Sequence, residues 1–140
     1  MKKNKTQSAF TLVELLVVIV IIALLSSLVA PKLFTKLDSA KVKTAYTQMQ
    51  MLSQGLDSFR LDIGRYPTTQ EGLEILWVKN STLKNWDGAY LPKPVKADSW
   101  ENPYHYKQPG KEGNPYDLYS LGSDGKEGGN DNAKDISVWE

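Results

Sequence analysis

The side chains best suited to chemistry are acids near the C-terminal end of the sequence. Asp124, Asp131 and Asp135 stand in a stretch that is also rich in asparagine and glycine. Carboxylate and amide oxygens are the hard ligands that Ca²⁺ takes, and glycine allows turns that aim backbone carbonyls inward. The ligand spacing of an EF-hand loop is absent, and composition alone predicts a solvated, flexible loop. Both interpretations stay open on the residues alone.

A single charge interrupts the most apolar stretch of the chain. Phe10 to Ala30 is apolar almost throughout and carries one charged residue, Glu14. A carboxylate in a membrane-spanning segment costs about 3 kcal/mol on insertion scales and usually has a partner. Cleavage before Phe10 would create an α-amine, a cation that suits a carboxylate at a site of low dielectric. We therefore hypothesise that Glu14 pairs with this amine, within one chain or between neighbouring chains.

The composition argues against catalytic chemistry. The chain has no cysteine and one histidine, His105, which excludes thiol chemistry and opposes a catalytic triad or a multi-histidine zinc site. No carboxylate pair, nucleophile–base pair or phosphate-binding loop stands out, so we predict that the protein is not an enzyme. A formal net charge of +1 gives no case for nucleic acid as a partner.

The apolar stretch predicts a helix that spans a membrane. Phe10 to Ala30 would be about 31 Å long as a helix, close to the thickness of a bilayer's hydrocarbon core. The preceding residues include Lys2, Lys3 and Lys5 and no acid, which keeps that end in the cytoplasm and sends the larger domain outward. The alternative is a cleaved secretory signal peptide. The length of the apolar run and the charge of Glu14 within it favour an anchor.

Apolar spacing predicts that this helix continues without a linker to Ile63. Beyond Pro31, most apolar residues recur every three or four positions, as on one face of an amphipathic helix. Gly64 and Pro67 end the pattern, as glycine and proline do after a helix.

Shorter elements are predicted for the remainder of the chain. Thr68 and Glu71 have the spacing of a capping box, which predicts a short helix over residues 70–78. Alternating residues at 104–107 and 116–120 flank a turn-rich connector and predict an antiparallel hairpin. Apolar residues close the chain and could hold its end to the domain: Ile136, Val138 and Trp139.

The start of the chain resembles a known processing signal. Residues 7–14, Gln-Ser-Ala-Phe-Thr-Leu-Val-Glu, resemble the class III signal of type IV pilins and type II secretion pseudopilins. The resemblance implies that a prepilin peptidase cuts between Ala9 and Phe10 and N-methylates Phe10. Glu14 corresponds to the motif's glutamate, and Pro31 to its kink-forming proline. The family usually has glycine where this chain has Ala9.

Three further segments resemble the major pseudopilins of type II secretion. Residues 61–73 resemble the end of their long helix, and residues 117–125 resemble their closing segment. Residues 98–104, Asp-Ser-Trp-Glu-Asn-Pro-Tyr, resemble their D-P-W-G-x-P-Y, with Ser99 and Glu101 as departures. The combination points to the G-type, major pseudopilin. Ordinary type IV pilins usually close their C-terminal region with a disulfide, which this chain cannot form.

The resemblance also implies a metal site. Major pseudopilins bind one structural calcium ion in the loop that corresponds to the acidic stretch described above. By position, Asp124 and Asp135 match the ligand aspartates, and the backbone carbonyl of Leu121 contributes. Asp131 is a plausible substitute for an aspartate that is common where this chain has Lys134.

Residues and resemblance together predict an α+β, pilin-like fold. A long N-terminal helix, its first half transmembrane, packs on a short helix and a small antiparallel sheet with a C-terminal calcium loop. Three segments are expected: a cleaved basic leader (1–9), a transmembrane and filament-core helix (10–30), and a periplasmic globular domain (31–140) that includes the second half of the long helix.

The predicted function is structural. The resemblance implies a subunit that assembles into a helical, periplasmic pseudopilus, which drives folded proteins across the outer membrane. Expected partners are copies of itself, minor pseudopilins, the prepilin peptidase, the inner-membrane assembly platform and membrane lipid. The expected location is the bacterial inner membrane, single-pass, with the C-terminal domain in the periplasm. The alternative is a type IV pilin or minor pilin used for adhesion, motility or DNA uptake.

Overall fold

One long helix supplies more than a third of the chain. The computed structural model describes Lys3 and residues 8–140, and its helix α1 comprises Leu12–Ile63. The predicted long helix is therefore confirmed, with its start moved from Phe10 to Leu12. The chain forms two compact units, one that ends at Leu37 and one from Asp38 to Glu140, and each is described by itself.

In the first unit, α1 exposes its apolar side chains. Every large apolar side chain from Phe10 to Val29 is at least 50% exposed. The helix is long and apolar enough to cross a membrane, where its internal hydrogen bonds satisfy the backbone. The helix continues through Pro31, whose carbonyl accepts the Thr35 hydroxyl at 3.0 Å. An apolar surface of this extent requires cover, from lipid or from other helices.

In the second unit, α1 supplies one side of the hydrophobic core. Five apolar residues of α1, spaced three or four positions apart, are fully buried: Ala45, Met49, Leu52, Leu56 and Phe59. Each buried leucine or phenylalanine contributes about 1.5–3 kcal/mol relative to an exposed one. The predicted apolar stripe began earlier, but Leu33 and Leu37 are about half exposed. The buried face of α1 therefore begins at Ala45 and not at Leu33, where the apolar spacing begins.

A glycine in this stripe allows close packing. A β carbon on Gly55 would lie 3.1 Å from Cδ2 of Leu91 and 3.4 Å from Cδ1 of Leu76. A larger residue would force these two buried leucines apart. This contact explains why α1 tolerates a residue that costs about 1 kcal/mol relative to alanine inside a helix.

The predicted short helix over 70–78 is wrong in extent and type. The structure has a 3₁₀ helix at Leu73–Leu76, preceded by Gly72 at a φ of +63°. The left-handed glycine separates the helix from the capping box, whose two hydrogen bonds do form. The Glu71 amide donates to Oγ1 of Thr68 at 3.2 Å, and the Thr68 amide donates to the Glu71 carboxylate at 2.9 Å. Hydrogen bonding from Arg65, at 2.8 Å, lowers the pKa of Glu71.

A small antiparallel sheet covers another side of the core. Strand β1 is His105–Lys107, β2 is Asp117–Ser120 and β3 is Ile136–Ser137, in the order β1-β2-β3. The predicted hairpin is confirmed with slightly shorter strands. The third strand was expected only as an apolar anchor, and it extends the sheet because Ile136 is buried while its backbone pairs with β2. His105 lies on the sheet, stacked on Tyr119 with ring centroids 5.2 Å apart.

Glu101 occupies a backbone conformation that favours glycine. Its φ is +65°, at the position where the resembling family motif has glycine. A residue with a β carbon in the left-handed region lowers the stability of the folded state by about 1–2 kcal/mol, and glycine avoids this cost. Glycine in turn lowers stability by about 0.4–1 kcal/mol, because it makes the unfolded chain more flexible. We therefore expect Glu101→Gly to stabilise the folded domain by about 0.5 kcal/mol. Thermal unfolding should show a melting temperature raised by a few degrees.

The matched control for this prediction is Glu101→Ala. It removes the same carboxylate but keeps the β carbon, so its melting temperature should not rise. An equal rise in both variants would mean that the loss of the carboxylate, not the relief of the backbone, is responsible.

Candidate functional site

The predicted processing bond lies in an exposed, irregular segment. Residues 8–10 belong to no helix or strand, and all three are exposed, with Phe10 at 81%. A protease needs an accessible substrate, and the Ala9–Phe10 bond is exposed and lies outside any helix or strand. Lys2 and Lys5 of the predicted leader lie outside the described residues.

Glu14 has a hydrogen-bond partner within its own chain. The Thr11 amide donates to Oε2 of Glu14 at 3.2 Å, and the Glu14 amide donates to Oγ1 of Thr11 at 3.2 Å. The Leu15 amide donates to the Thr11 carbonyl, so Thr11 caps α1. This is a second capping box, and an acid in the first turn also suits the positive end of the helix dipole. This capping box was not predicted, although its Thr-x-x-Glu spacing is the same as that of Thr68 and Glu71.

The acidic loop contains two short 3₁₀ helices. The first is Gly122–Asp124 and the second is Asp131–Ala133, which begins with Asp131 at a φ of +52°. The Asp124 side chain is exposed, and its Oδ1 accepts the Lys126 amide at 3.0 Å. Leu121 is buried and precedes the first 3₁₀ helix directly. Two of the predicted ligand positions therefore flank one tight turn.

Asp135 has an unsatisfied oxygen. Its Oδ2 accepts the Gly128 amide at 3.0 Å, while its Oδ1 is buried and has no hydrogen-bond partner among the described residues. A buried carboxylate oxygen without a donor is costly unless a cation or water satisfies it. This atom therefore fits a role as a cation ligand.

Two backbone carbonyls of the loop lie close to Gly122. A β carbon on Gly122 would lie 2.8 Å from the Lys134 carbonyl oxygen and 2.9 Å from the Asn132 carbonyl oxygen. Within Lys3 and residues 8–140, no three histidine, aspartate or glutamate side chains are close enough together to hold a metal ion. Asp124, Asp131 and Asp135 thus do not form one carboxylate cluster. Ca²⁺ also accepts backbone oxygens readily, and the Asn132 and Lys134 carbonyls beside Gly122 are of this kind.

The chain has a membrane-length apolar helix that continues into the core of a small α+β domain, and an exposed segment with the predicted cleavage site precedes that helix. This arrangement is that of a pilin-like filament subunit. Two family profiles match the chain. The one described as "Type II secretion system (T2SS), protein G" matches residues 32–139, and the one described as "Prokaryotic N-terminal methylation motif" matches residues 4–30. The chain belongs to the type II secretion system protein G family, the major pseudopilins.

Relatives and a solved structure agree with this assignment. The chain is 45% identical to the type II secretion system core protein G of Pseudomonas aeruginosa, over 99% of each chain. It is 41% identical to that of Vibrio cholerae, over 99% of this chain and 96% of the relative. The crystal structure of the major pseudopilin of enterohaemorrhagic Escherichia coli superimposes with a TM-score of 0.63 at 30% identity, covering 78% of this chain and 95% of that one.

The predicted pilin-like α+β fold and the predicted function are therefore confirmed, while the calcium loop stays a prediction. The protein is a structural subunit of a type II secretion pseudopilus, and a type IV pilin used for adhesion, motility or DNA uptake is not favoured. Its family is a structural one and is not known as an enzyme family. The apolar N-terminal helix and the methylation motif indicate a membrane-anchored protein that faces the periplasm.

Proposed function

We propose that this subunit is processed and assembled as its exposed N-terminal segment indicates. A prepilin peptidase cuts between Ala9 and Phe10 and methylates Phe10. The basic leader keeps the N-terminus in the cytoplasm, α1 crosses the inner membrane once, and the C-terminal domain lies in the periplasm. The observation that supports this proposal is an exposed Ala9–Phe10 bond just before an apolar helix whose large side chains up to Val29 are at least half exposed among the described residues.

Assembly in this proposal is driven by the need to cover that helix. Copies of the chain pack their apolar helices together as the core of a helical periplasmic filament, capped or started by minor pseudopilins on the inner-membrane assembly platform. Growth of the filament drives folded proteins through the outer membrane. Membrane lipid covers the helix before assembly, and nucleic acid has no part.

Intact mass of the membrane-extracted protein tests the processing step. In cells with an active prepilin peptidase, the expected mass is that of a chain starting at N-methylated Phe10. Ala9→Gly is the matched control, because it restores the residue that the family usually has there and should be cut at least as completely. A mass that retains residues 1–9, or one that corresponds to a cut near Ala30, would contradict the proposal.

We also propose that the acidic loop holds one structural calcium ion. The buried Oδ1 of Asp135 supports this, because it has no donor among the described residues and a cation would satisfy it. Asp124 and the Leu121 carbonyl are the other proposed ligands, and Asp131 replaces an aspartate that this chain lacks at Lys134. A bound Ca²⁺ supplies positive charge to a loop that has almost no apolar residues to bury. The chain's own contribution is a set of tight turns that present backbone and carboxylate oxygens.

A further inference from the structure

A buried carboxylate outside the proposed metal ligands organises the turn at residues 98–102. Asp98 is 6% exposed, and three donors satisfy it. Its Oδ1 accepts the amides of Trp100 and Asn102, both at 2.9 Å, and its Oδ2 accepts the Ser120 hydroxyl at 2.7 Å. Buried charges persist in proteins when their hydrogen bonds are complete in this way. The turn is therefore rigid and tied to β2.

Both backbone groups of Gly122 are hydrogen-bonded, one to Ser120 on β2 and the other to Asn102 in this turn. The Gly122 amide donates to Oγ of Ser120 at 3.2 Å, and Nδ2 of Asn102 donates to the Gly122 carbonyl at 3.3 Å. Asn102 also lies against Gly125, where a β carbon would be 3.3 Å from Nδ2. One side chain thus contacts the residues on either side of the turn that carries Asp124.

Gly122 also contacts the second arm of the acidic loop, the part that leads to Asp135; the first arm is the part that carries Asp124. Its φ of +69° and its lack of a β carbon let it lie against the carbonyls of Asn132 and Lys134. Lys134 directly precedes Asp135 in the sequence. The position of Gly122 therefore sets the distance between the arm that carries Asp124 and the arm that carries Asp135.

We propose that Asn102, supported by Asp98, is a positioning residue for calcium binding, an inference that rests on the calcium site proposed above. Asn102 does not touch the ion. It holds the two arms of the loop in their binding geometry before the ion arrives, so that the ion does not have to order them. Preorganisation of this kind raises affinity by lowering the entropic cost of binding, and loss of a supporting contact around a metal site typically costs 10–100-fold in affinity.

Calorimetric titration of Ca²⁺ into the full-length chain in detergent micelles tests this role. Asn102→Ala removes both the amide donor and the contact with Gly125, whereas Asn102→Leu keeps a similar volume and removes only the donor. We expect both variants to raise the Kd for Ca²⁺ by about tenfold or more. Their melting temperatures in EGTA should stay close to that of the matched control, Asn80→Ala, which removes an asparagine that caps a different loop through the Thr82 amide and hydroxyl.

The two measurements separate positioning from general stability. A merely structural role would lower the melting temperature in EGTA and leave the Kd unchanged, and this result would overturn the proposal. An unchanged Kd in both variants, with the parent chain binding Ca²⁺, would overturn the role of Asn102 alone. Absence of calcium uptake by the parent chain would overturn the calcium site and the positioning role together.

Discussion

Replacing Glu14 with alanine is expected to abolish filament assembly while leaving membrane insertion intact. Insertion should be unharmed or improved, because the substitution removes a charge that costs about 3 kcal/mol in the apolar segment. Assembly should fail, because the α-amine of Phe10 on a neighbouring chain loses the carboxylate that would neutralise it in a lipid-like environment. Filament yield by electron microscopy and secretion of the natural substrates measure the effect.

Glu14→Gln is the matched control for this prediction. A glutamine at the third helical position still forms a capping box with Thr11, so the start of α1 is preserved. It carries no charge and cannot neutralise an amine. Failure of both variants would identify the charge as the essential property. Normal filament yield and secretion with Glu14→Ala would contradict the pairing role, and failure of Glu14→Ala alone would identify the cap instead.

Calcium is expected to raise the melting temperature of the folded chain substantially. An ion that binds only the native state adds about 2.7 kcal/mol at a hundredfold excess over its Kd, which for a domain of this size is about 10 °C. The loop has few apolar residues to bury, so a bound ion would supply contacts that hold it in its folded conformation. Thermal unfolding in Ca²⁺ and in EGTA measures the difference directly.

Single substitutions assign the ligands. Asp135→Ala and Asp124→Ala should each remove most of the calcium-dependent shift, and Asp131→Ala should do so only if Asp131 replaces the aspartate missing at Lys134. Asp87→Ala, at an exposed aspartate in another loop, serves as the control and should keep the full shift. Equal melting temperatures in Ca²⁺ and EGTA, with no heat of calcium binding, would leave the segment a solvated loop.

Periodic features of the sequence were sufficient to predict the long helix and the hairpin. The apolar run after Phe10 and the three-to-four spacing up to Phe59 are local patterns, and local patterns determine which face of a helix is buried. The short helix after Thr68 was predicted wrongly because a capping box does not reveal that Gly72 adopts a left-handed conformation. Backbone conformation at a glycine depends on packing that a single sequence does not display.

The contacts that organise the acidic loop could not be predicted in the same way. The hydrogen bond between Ser120 and Asp98 joins residues 22 positions apart, and no spacing rule covers such a pair. The capping box of Thr11 and Glu14 is the opposite case, because its residues are neighbours on one helical turn. The Thr-x-x-Glu spacing was therefore sufficient to predict this contact. The prediction for Glu14 considered only its charge in an apolar segment and not its position at the start of the helix.

The capping box at the start of α1 positions the Glu14 carboxylate without using up its capacity to accept hydrogen bonds. The Thr11 amide donates to Oε2 alone, and a carboxylate has about four acceptor sites on its two oxygens. In the proposed pairing, the amine of a neighbouring chain would therefore bind the same carboxylate while the capping box stays intact. Before the leader is removed, the nitrogen of Phe10 is an uncharged amide and only the contact within the chain is available. Removal of the leader would then place a cation near a carboxylate that is already held in position, so the proposed pairing would not have to order the Glu14 side chain first.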